Sequence, residues 1–380
     1  MATKIINFKH SLTNIKDVKM FFGKYDGIQR YDRFKYQVSK KLIELQQAQK
    51  WFPKELNYQK DKITVSRMGP GLASLYQDNI GFQTVADSLA NRFLDGVLSK
   101  LVTSPEWENV LKWQANFELL HSESYSHTIR EVYGDSEKFF NEVLAKPEVQ
   151  KRLELENDIF SELADIMEDE SISLDDRMMA LIKALFAQYI LENVRFIVSF
   201  LYTFKINDIT ENGIQGTANS IALILNDETI HTIIFKHIIN ILQKEESEGF
   251  KKLFKERRDE INSMVYELFD TVLQSEMEWF IHLSKYEEIP GLDETSVYNF
   301  LLYYINYALK QVKIDSPYED VEKNELVIFF EKKRRLENKK ILAQENDASS
   351  YTISGLEDLD EDGKWNYNEK LEEVMKRIGL

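Results

Sequence analysis

The sequence predicts an all-α protein built around one large helical domain. Glycine and proline are scarce: the 380-residue chain has 14 glycines and 6 prolines, about 5% of its residues against roughly 12% in average usage. Both residues interrupt helices, since proline lacks the donor N–H and glycine loses more backbone entropy on folding. A sheet protein of this length would need many turns, in which both residues are common. The long stretches between the few glycines and prolines therefore favour helices.

Composition excludes several classes of protein. The formal net charge of −16 argues against a nucleic-acid binder, which would carry a basic face. No run of eighteen apolar residues is present, so no membrane-spanning helix is expected, and the first residues resemble neither a signal peptide nor a transit peptide. The absence of cysteine excludes disulfides, thiolate metal sites and a cysteine nucleophile. We therefore expect a cytoplasmic protein without nucleic-acid or membrane partners.

The individual helices are predicted from apolar spacing and from the positions of proline and glycine. The first helix is expected to end before Pro53, and the second to begin after Pro70. Thr103 and Glu106 have the spacing of a capping box, with Pro105 in the first turn of the helix that follows. The predicted helices cover residues 32–51, 72–102, 105–133, 148–168, 174–205, 215–244, 246–285, 293–312 and 318–344.

Two stretches differ from the amphipathic helices around them. Residues 195–204, RFIVSFLYTF, are apolar all round, which is typical of a helix in the middle of a bundle. From about Gln344 the chain is acidic and has few large apolar residues, so we expect a flexible tail. The predicted organisation is a domain of residues 1–343 followed by an acidic tail of residues 344–380.

A repeated Glu-x-x-His motif is the most informative chemical pattern. Glu118 and His121 form one pair, and Glu228 and His231 form the other. Residues three apart on a helix lie on the same face, so each pair can hold one metal ion. Either pair alone would be a weak signal, because such a motif arises easily by chance.

Two further acids make the pattern specific. Asp87 and Glu192 each lie in an apolar context about one helix upstream of a Glu-x-x-His pair. Helical di-metal carboxylate proteins use two such pairs together with one carboxylate from each of two other helices. The order acid, pair, acid, pair therefore predicts a di-metal site, and its oxygen-rich ligands suit iron or manganese.

At these motifs the sequence resembles the radical-generating small subunit of aerobic class I ribonucleotide reductase. The resemblance extends from Phe21 to at least Tyr351, and it rests on motifs in the order and near the spacing of that family. These motifs are RYDRFKYQVSKKLIELQ (30–46), WFPKE (51–55), Asp87, FELLHSESYSH (117–127), LENVRFIVSF (191–200) and NDETIH (226–231). The resemblance implies a ferritin-like helical bundle, a homodimer and a large catalytic partner subunit.

The resemblance also implies a role for each matching residue. Asp87, Glu118 and His121 would bind one iron, and Glu192, Glu228 and His231 the other, with Glu118 and Glu228 bridging; manganese is possible. Dioxygen at this centre would oxidise Tyr125 to a tyrosyl radical. Trp51 and Asp227 would connect His121 to a transfer route, and Tyr351 in the tail would relay the radical to the large subunit, where ribonucleotides are reduced.

The tail departs from the family ending, so its docking sequence is not predicted. Residues 358–369 fit the spacing of an EF-hand loop, with Gly363 at position six and Glu369 at position twelve,. The segment before this loop is a poor helix and no second hand is visible. An acidic loop that leads into a short helix is the favoured interpretation.

Two alternative functions remain open from the sequence. A ferritin-like di-iron oxygenase or oxidase would need an open channel to the metals for its organic substrate. An iron-storage bundle would require assembly into a shell, and a purely structural bundle would merely bind metal. Tyr125 and the tail tyrosine favour the radical-generating subunit.

Overall fold

A computed structural model describes residues 6–25 and 27–333 of the chain. Across these residues there is no β-strand, and the all-α prediction is confirmed. The α-helices are α1 (Gln37–Ala48), α2 (Gln59–Arg67), α3 (Pro70–Gly96), α4 (Pro105–Tyr133), α5 (Ser136–Leu144), α6 (Pro147–Glu168), α7 (Leu174–Ile190), α8 (Phe196–Ile209), α9 (Gln215–Lys244), α10 (Lys251–Glu256), α11 (Arg258–Ser284) and α12 (Glu294–Gln311). A last helical segment begins at residue 325.

Helices α3, α4, α7, α8 and α9 form the centre of the bundle. Helix α3 packs on α4, α4 on α9, α9 on both α7 and α8, and α8 back on α3. The contacts thus close a ring of helices around a common interior. Side chains that point inward from this ring are shielded from solvent on every side.

The predicted helix over residues 174–205 is interrupted. Helices α7 and α8 are joined by a π-helical segment, Leu191–Arg195, in which backbone bonds run from i to i+5. Such a segment accommodates one extra residue within an otherwise continuous helix and is frequent at functional sites. The span Leu174–Ile209 is long and apolar enough to cross a membrane, but 94% of its most apolar window is buried within the fold. Residues 195–204 therefore belong to the core, as predicted.

Other predicted boundaries were wrong for identifiable reasons. The first helix begins at Gln37 and not at residue 32, because the N–H groups of Lys35 and Tyr36 donate to the carboxylate of Glu106. Glu106 therefore does not complete a capping box with Thr103, whose hydroxyl donates to the carbonyl of Lys19. Ser104 is the residue that precedes the first turn of α4.

The expected helix over residues 246–285 is divided into three parts. A short 3-10 turn ends at Gly249, whose φ of +90° lies in the region that favours glycine. Helices α10 and α11 follow it. Helices α2 and α5 were not predicted at all.

A buried aspartate fixes the start of α9. The Asp61 carboxylate accepts hydrogen bonds from the backbone N–H groups of Gly216 and Thr217, at 3.0 and 2.7 Å, and from the Thr217 hydroxyl at 2.7 Å. These N–H groups have no partners within the helix, and a negative charge is favoured there by the helix dipole. Asp61 thus ties α2 to the first turn of the helix that carries the second Glu-x-x-His pair.

A buried ion network holds the π-helical segment in place. Arg195, in that segment, bonds Glu156 of α6 at 2.5 Å and Glu276 of α11 at 3.0 Å. Arg152 of α6 bonds Glu276 at 2.8 Å through Nε, and also bonds the carbonyl oxygen of Arg195 at 3.2 Å. The four charged side chains are almost completely inaccessible to solvent. Removal of one member would leave a buried charge without its partner.

We predict that Arg152→Met lowers the free energy of unfolding by about 3–5 kcal/mol, the usual effect of breaking a buried ion pair from one side. The neighbouring Lys151 provides a matched control, because its ion pair with Glu278 is 2.7 Å long but exposed. Lys151→Met should change the free energy by only about 0–1 kcal/mol. Urea unfolding would measure both, and equal effects of the two variants would contradict the structural importance of the network.

Candidate metal centre

The six predicted ligands converge inside the ring of helices. All are buried, with exposed fractions of 2% or less. Their ligand atoms form two sets, and within each set the atoms lie within 4.8 Å of one another. The first set is Asp87, Glu118, His121 and Glu228, and the second is Glu118, Glu192, Glu228 and His231. Glu118 and Glu228 belong to both sets, so the arrangement offers two adjacent metal positions with two shared carboxylates.

Four separate elements supply these side chains. Asp87 lies on α3, the first Glu-x-x-His pair on α4, Glu192 in the π-helical segment, and the second pair on α9. The three-residue spacing brings each glutamate beside its own histidine, at 3.3 Å on α4 and 3.4 Å on α9. The centre therefore requires the whole bundle, although each pair requires only one helix.

Both imidazoles direct Nδ1 toward the shared carboxylates. Nδ1 of His121 lies 3.1 Å from Oε1 of Glu228, and Nδ1 of His231 lies 3.1 Å from Oε1 of Glu118. The other nitrogen of His121, Nε2, lies 3.0 Å from the carboxylate of Asp227. A metal-ligating histidine commonly donates its second N–H to a carboxylate in this way.

Several oxygens of the centre form no hydrogen bond of normal geometry within the described residues, although the imidazoles approach two of them. They include both carboxylate oxygens of Asp87 and of Glu118, together with one oxygen each of Glu192 and Glu228. Buried acceptors without partners are costly, and in the described part of the chain no lysine or arginine forms an ion pair with the six residues. A pair of cations would satisfy these oxygens, so the donor set fits two metal ions.

Burial and mutual repulsion shift the pKa values of these groups. Burial raises the pKa of Asp87 and that of Glu192 well above their usual values. Burial would also raise the pKa of Glu118, but the two imidazoles lower it to about 2. Burial alone would lower the pKa of His121, yet the surrounding carboxylates raise it well above its ordinary value. The cluster thus carries more negative charge than its surroundings can neutralise without protons or cations.

Trp51 and Asp227 lie at the outer side of His121. One oxygen of Asp227, Oδ2, accepts from the Trp51 indole N–H at 2.8 Å and also contacts Nε2 of His121. The rings of Trp51 and His121 are nearly parallel, with their centroids 6.4 Å apart. The three side chains named together from the sequence are therefore connected in space.

Tyr125 lies one turn beyond His121 on α4 and is 1% exposed. Burial, followed by the negative charges of Asp87 and Glu228, raises its pKa well above the ordinary value. Its hydroxyl is near Asp87, but no hydrogen bond of normal geometry forms with any described residue. Tyr125 is therefore a neutral phenol beside the metal positions.

Tyr351 and the EF-hand-like stretch 358–369 lie outside the described residues.

Two buried glutamines were missed by the sequence reasoning. Gln114 and Gln188 both donate side-chain N–H groups to Oε1 of Glu192, at 2.7 and 2.8 Å. Each stands four residues before a ligand glutamate, on an apolar helix face. The sequence did contain one indication, an uncharged polar residue on an apolar helix face. It does not indicate which glutamate would accept a hydrogen bond from the amide.

The chain is similar to small subunits of ribonucleotide reductase along most of its length. A family model described as ribonucleotide reductase, small chain, matches residues 29–325. Ribonucleoside-diphosphate reductase 1 subunit beta of Escherichia coli O157:H7 is 26% identical over 364 residues, covering 92% of this chain and 95% of that protein. The subunit beta of Enterobacteria phage T4 is 26% identical over 379 residues, with coverage of 93% and 96%.

Solved structures support the same fold. The ribonucleotide reductase R2 subunit from Clostridium botulinum superposes with a TM-score of 0.75 at 19% identity, covering 88% of this chain and 98% of that one. The dimanganese(II)-NrdF of Streptococcus sanguinis gives a TM-score of 0.58 at 20% identity, with coverage of 81% and 99%. The predicted ferritin-like bundle and the resemblance noted in the sequence are both confirmed.

We predict that ferrous iron or Mn²⁺ raises the melting temperature of the metal-free protein, and that a chelator reverses the rise. A ligand at 100 times its Kd stabilises a fold by about 2.7 kcal/mol, and here it would also relieve repulsion among the carboxylates. The double variant Glu118→Gln/Glu228→Gln should lose most of this shift, because it alters both shared ligands. Glu106→Gln is the control, since Glu106 is a buried carboxyl elsewhere in the fold. An undiminished shift in the double variant would argue against the site.

Proposed function

The chain belongs to the ribonucleotide reductase small-chain family, and on that premise we propose that it generates the radical used by a large catalytic subunit. As a small subunit of ribonucleoside-diphosphate reductase it is part of an oxidoreductase. The observation that carries the proposal is a buried phenol, Tyr125, next to a cluster of four carboxylates and two imidazoles. In the ribonucleotide reductase family, a tyrosine beside such a ligand cluster would serve to form a radical for nucleotide reduction.

In this proposal two iron ions occupy the centre, held by Asp87, Glu118, His121, Glu192, Glu228 and His231. Manganese is chemically compatible with the same ligands, and a neighbour in the solved structures is named as a dimanganese protein. When bound, the metal ions would supply, with dioxygen, the oxidising power that removes an electron from Tyr125.

The chain's own residues would then accept the phenolic proton and shield the tyrosyl radical from solvent. Oxidation of a neutral phenol to a phenoxyl radical releases one electron and one proton. The Asp87 carboxylate is near the Tyr125 hydroxyl, so it is the acceptor that this proton would reach first. Because Tyr125 is buried, solvent and external reductants would have little access to the radical.

Transfer toward the large subunit would begin at the side chains around Asp227. The hydrogen bonds of Trp51 and His121 to a single carboxylate oxygen allow electron and proton movement to be coupled there. We propose that Tyr351 continues this route and that the acidic tail of residues 344–380 docks on the large subunit. We also propose that the small subunit acts as a homodimer.

An oxygenase acting on an organic substrate is less well supported. A cavity that includes Glu192 and Glu228 in its lining has a volume of about 130 Å³, whereas small-molecule sites usually measure about 300–1,000 Å³. Dioxygen would fit this space more readily than a typical organic substrate. The iron-storage alternative is tested simply, because light scattering would distinguish a dimer from a shell.

We predict that Tyr125→Phe abolishes the tyrosyl EPR doublet formed when the ferrous protein meets oxygen, and with it the reduction of ribonucleotides by the reconstituted complex. The variant lacks the O–H group that the oxidation requires. Tyr202→Phe is the matched control, because Tyr202 is also buried and its hydroxyl has no partner among the described residues. A doublet that persists in Tyr125→Phe would place the radical elsewhere. A wild type that consumes oxygen without any doublet would favour the oxygenase.

We predict that Trp51→Phe slows nucleotide reduction, measured per radical formed. The substitution keeps a ring at this position but removes a hydrogen bond to a carboxylate, which is worth about 1.5–3 kcal/mol. If the full amount bears on the transfer step, the rate falls by roughly 10–100-fold.

The control for Trp51→Phe is Trp107→Phe. Trp107 is equally buried, and its indole N–H has no partner in the described chain. Turnover per radical would be measured in the complete complex with the large subunit. Equal turnover in the two variants would remove Trp51 from the transfer route.

A further inference from the structure

We propose that Gln114 and Gln188 are positioning residues that hold one oxygen of Glu192 and present the other to a metal ion. The proposal rests on the proposed di-metal function and adds to it a determinant of affinity at one of the two metal positions. That position is formed by Glu118, Glu192, Glu228 and His231.

One carboxylate oxygen of Glu192 has both of its acceptor sites occupied by hydrogen bonds. Oε1 of Glu192 accepts from Nε2 of Gln114 at 2.7 Å and from Nε2 of Gln188 at 2.8 Å. Each oxygen of an ionised carboxylate has two lone-pair sites, so both sites of Oε1 are used. Oε2 has no partner among the described residues. Glu192 is therefore prepared to bind a metal ion through Oε2 alone.

The orientation of both amides follows from the chemistry of the acceptor. An ionised carboxylate can only accept, so each glutamine must turn its NH₂ group toward Glu192. The carbonyl oxygens of Gln114 and Gln188 then point away, and they have no hydrogen-bond partner in the described part of the chain. Both side chains are completely buried. Leaving these two buried amide oxygens unpaired is unfavourable for stability. The cost has a functional reason if the two NH₂ groups are needed to orient the Glu192 carboxylate.

The two glutamines reach Glu192 from different helices. Gln188 lies one turn before it at the end of α7, whereas Gln114 extends across from α4. Glu192 itself lies in the π-helical segment, which Arg195 anchors to α6 and α11. Backbone and carboxylate are thus restrained independently, so rotation of the carboxylate would break two hydrogen bonds.

The corresponding acid at the other metal position has no such restraint. Neither oxygen of Asp87 forms a hydrogen bond with a described residue, and Nδ1 of His121 approaches Oδ1 of Asp87 only to 4.0 Å. One terminal carboxylate is therefore fixed in orientation and the other is free to adjust. We infer that the two metal positions differ in affinity and that the glutamine pair is a main cause of the difference.

The test is a titration of the metal-free, full-length protein with Mn²⁺, followed by the EPR signal of the unbound ion. Gln114→Met/Gln188→Met keeps the side-chain volume but removes both donors. Loss of such supporting hydrogen bonds usually costs about 10–100-fold in metal affinity, and we expect a loss of this size at one of the two positions. Repetition in an Asp87→Ala background, which lacks a ligand specific to the other position, should show the same loss at the position that remains.

Gln83→Met is the matched control. Gln83 is a buried glutamine on α3 whose amide donates to Thr203 and to none of the six ligands. We expect Gln83→Met to bind two Mn²⁺ ions as the wild type does, with circular dichroism showing that all variants are folded. Unchanged Mn²⁺ affinities in the double glutamine variant would overturn the inference, as would an equal loss in Gln83→Met. A wild type that binds no Mn²⁺ and no ferrous iron would overturn the proposed function itself, so the two failures are distinguishable.

Discussion

The structure depends on the burial of four carboxylates and two imidazoles inside an apolar bundle. Moving an ionised carboxylate out of water is strongly unfavourable unless opposite charge or hydrogen bonds replace the lost hydration. Elsewhere in the fold the chain provides that replacement itself. Arg152 and Arg195 neutralise Glu156 and Glu276, and the first turn of α9 binds Asp61. At the centre the described chain provides only two imidazoles and a few donors, so the remaining compensation falls to protons or to bound cations.

The buried charges that the chain compensates by itself hold particular parts of the molecule rigidly. The buried ion network fixes the π-helical segment, Asp61 fixes the start of α9, and the bond between Trp51 and Asp227 connects the segment before α2 to the middle of α9. Each anchor lies next to an element that carries a ligand. The protein thus places its ligands by means of buried groups that are ion-paired or hydrogen-bonded within the chain, while several oxygens of the ligands stay free for metal ions.

The sequence was sufficient for features that depend on a single helix. Helix α9 has the predicted bounds, 215–244, and α4 has the predicted bounds, 105–133, because apolar spacing and end signals are local properties. The two Glu-x-x-His pairs were recognisable for the same reason, and the metal-binding and radical roles assigned to individual residues stay predictions. The π-helical segment was not predicted, because the ion pairs of its Arg195 with Glu156 of α6 and Glu276 of α11 join residues that are distant in the sequence. The two amides that meet at Glu192 belong to Gln114 of α4 and Gln188 of α7, which are distant in the sequence, so no local pattern indicates that they meet. Gly249, in contrast, was a visible end signal that the prediction over 246–285 passed over.

The π-helical segment also affects how this chain can tolerate changes in length. It is equivalent to one additional residue inserted into a continuous α-helix, and each residue of an α-helix turns the chain by about 100°. Loss of one codon between positions 192 and 195 would therefore restore a regular helix and leave α7 and α8 close to their present orientation, because the wider π turn already absorbs the extra residue. The spacing of Glu192 and Arg195 would fall from three residues to two, which places the two side chains on different faces of the helix. The metal centre and the buried ion network would then no longer receive both side chains, so a single deletion would keep the bundle and disable its centre.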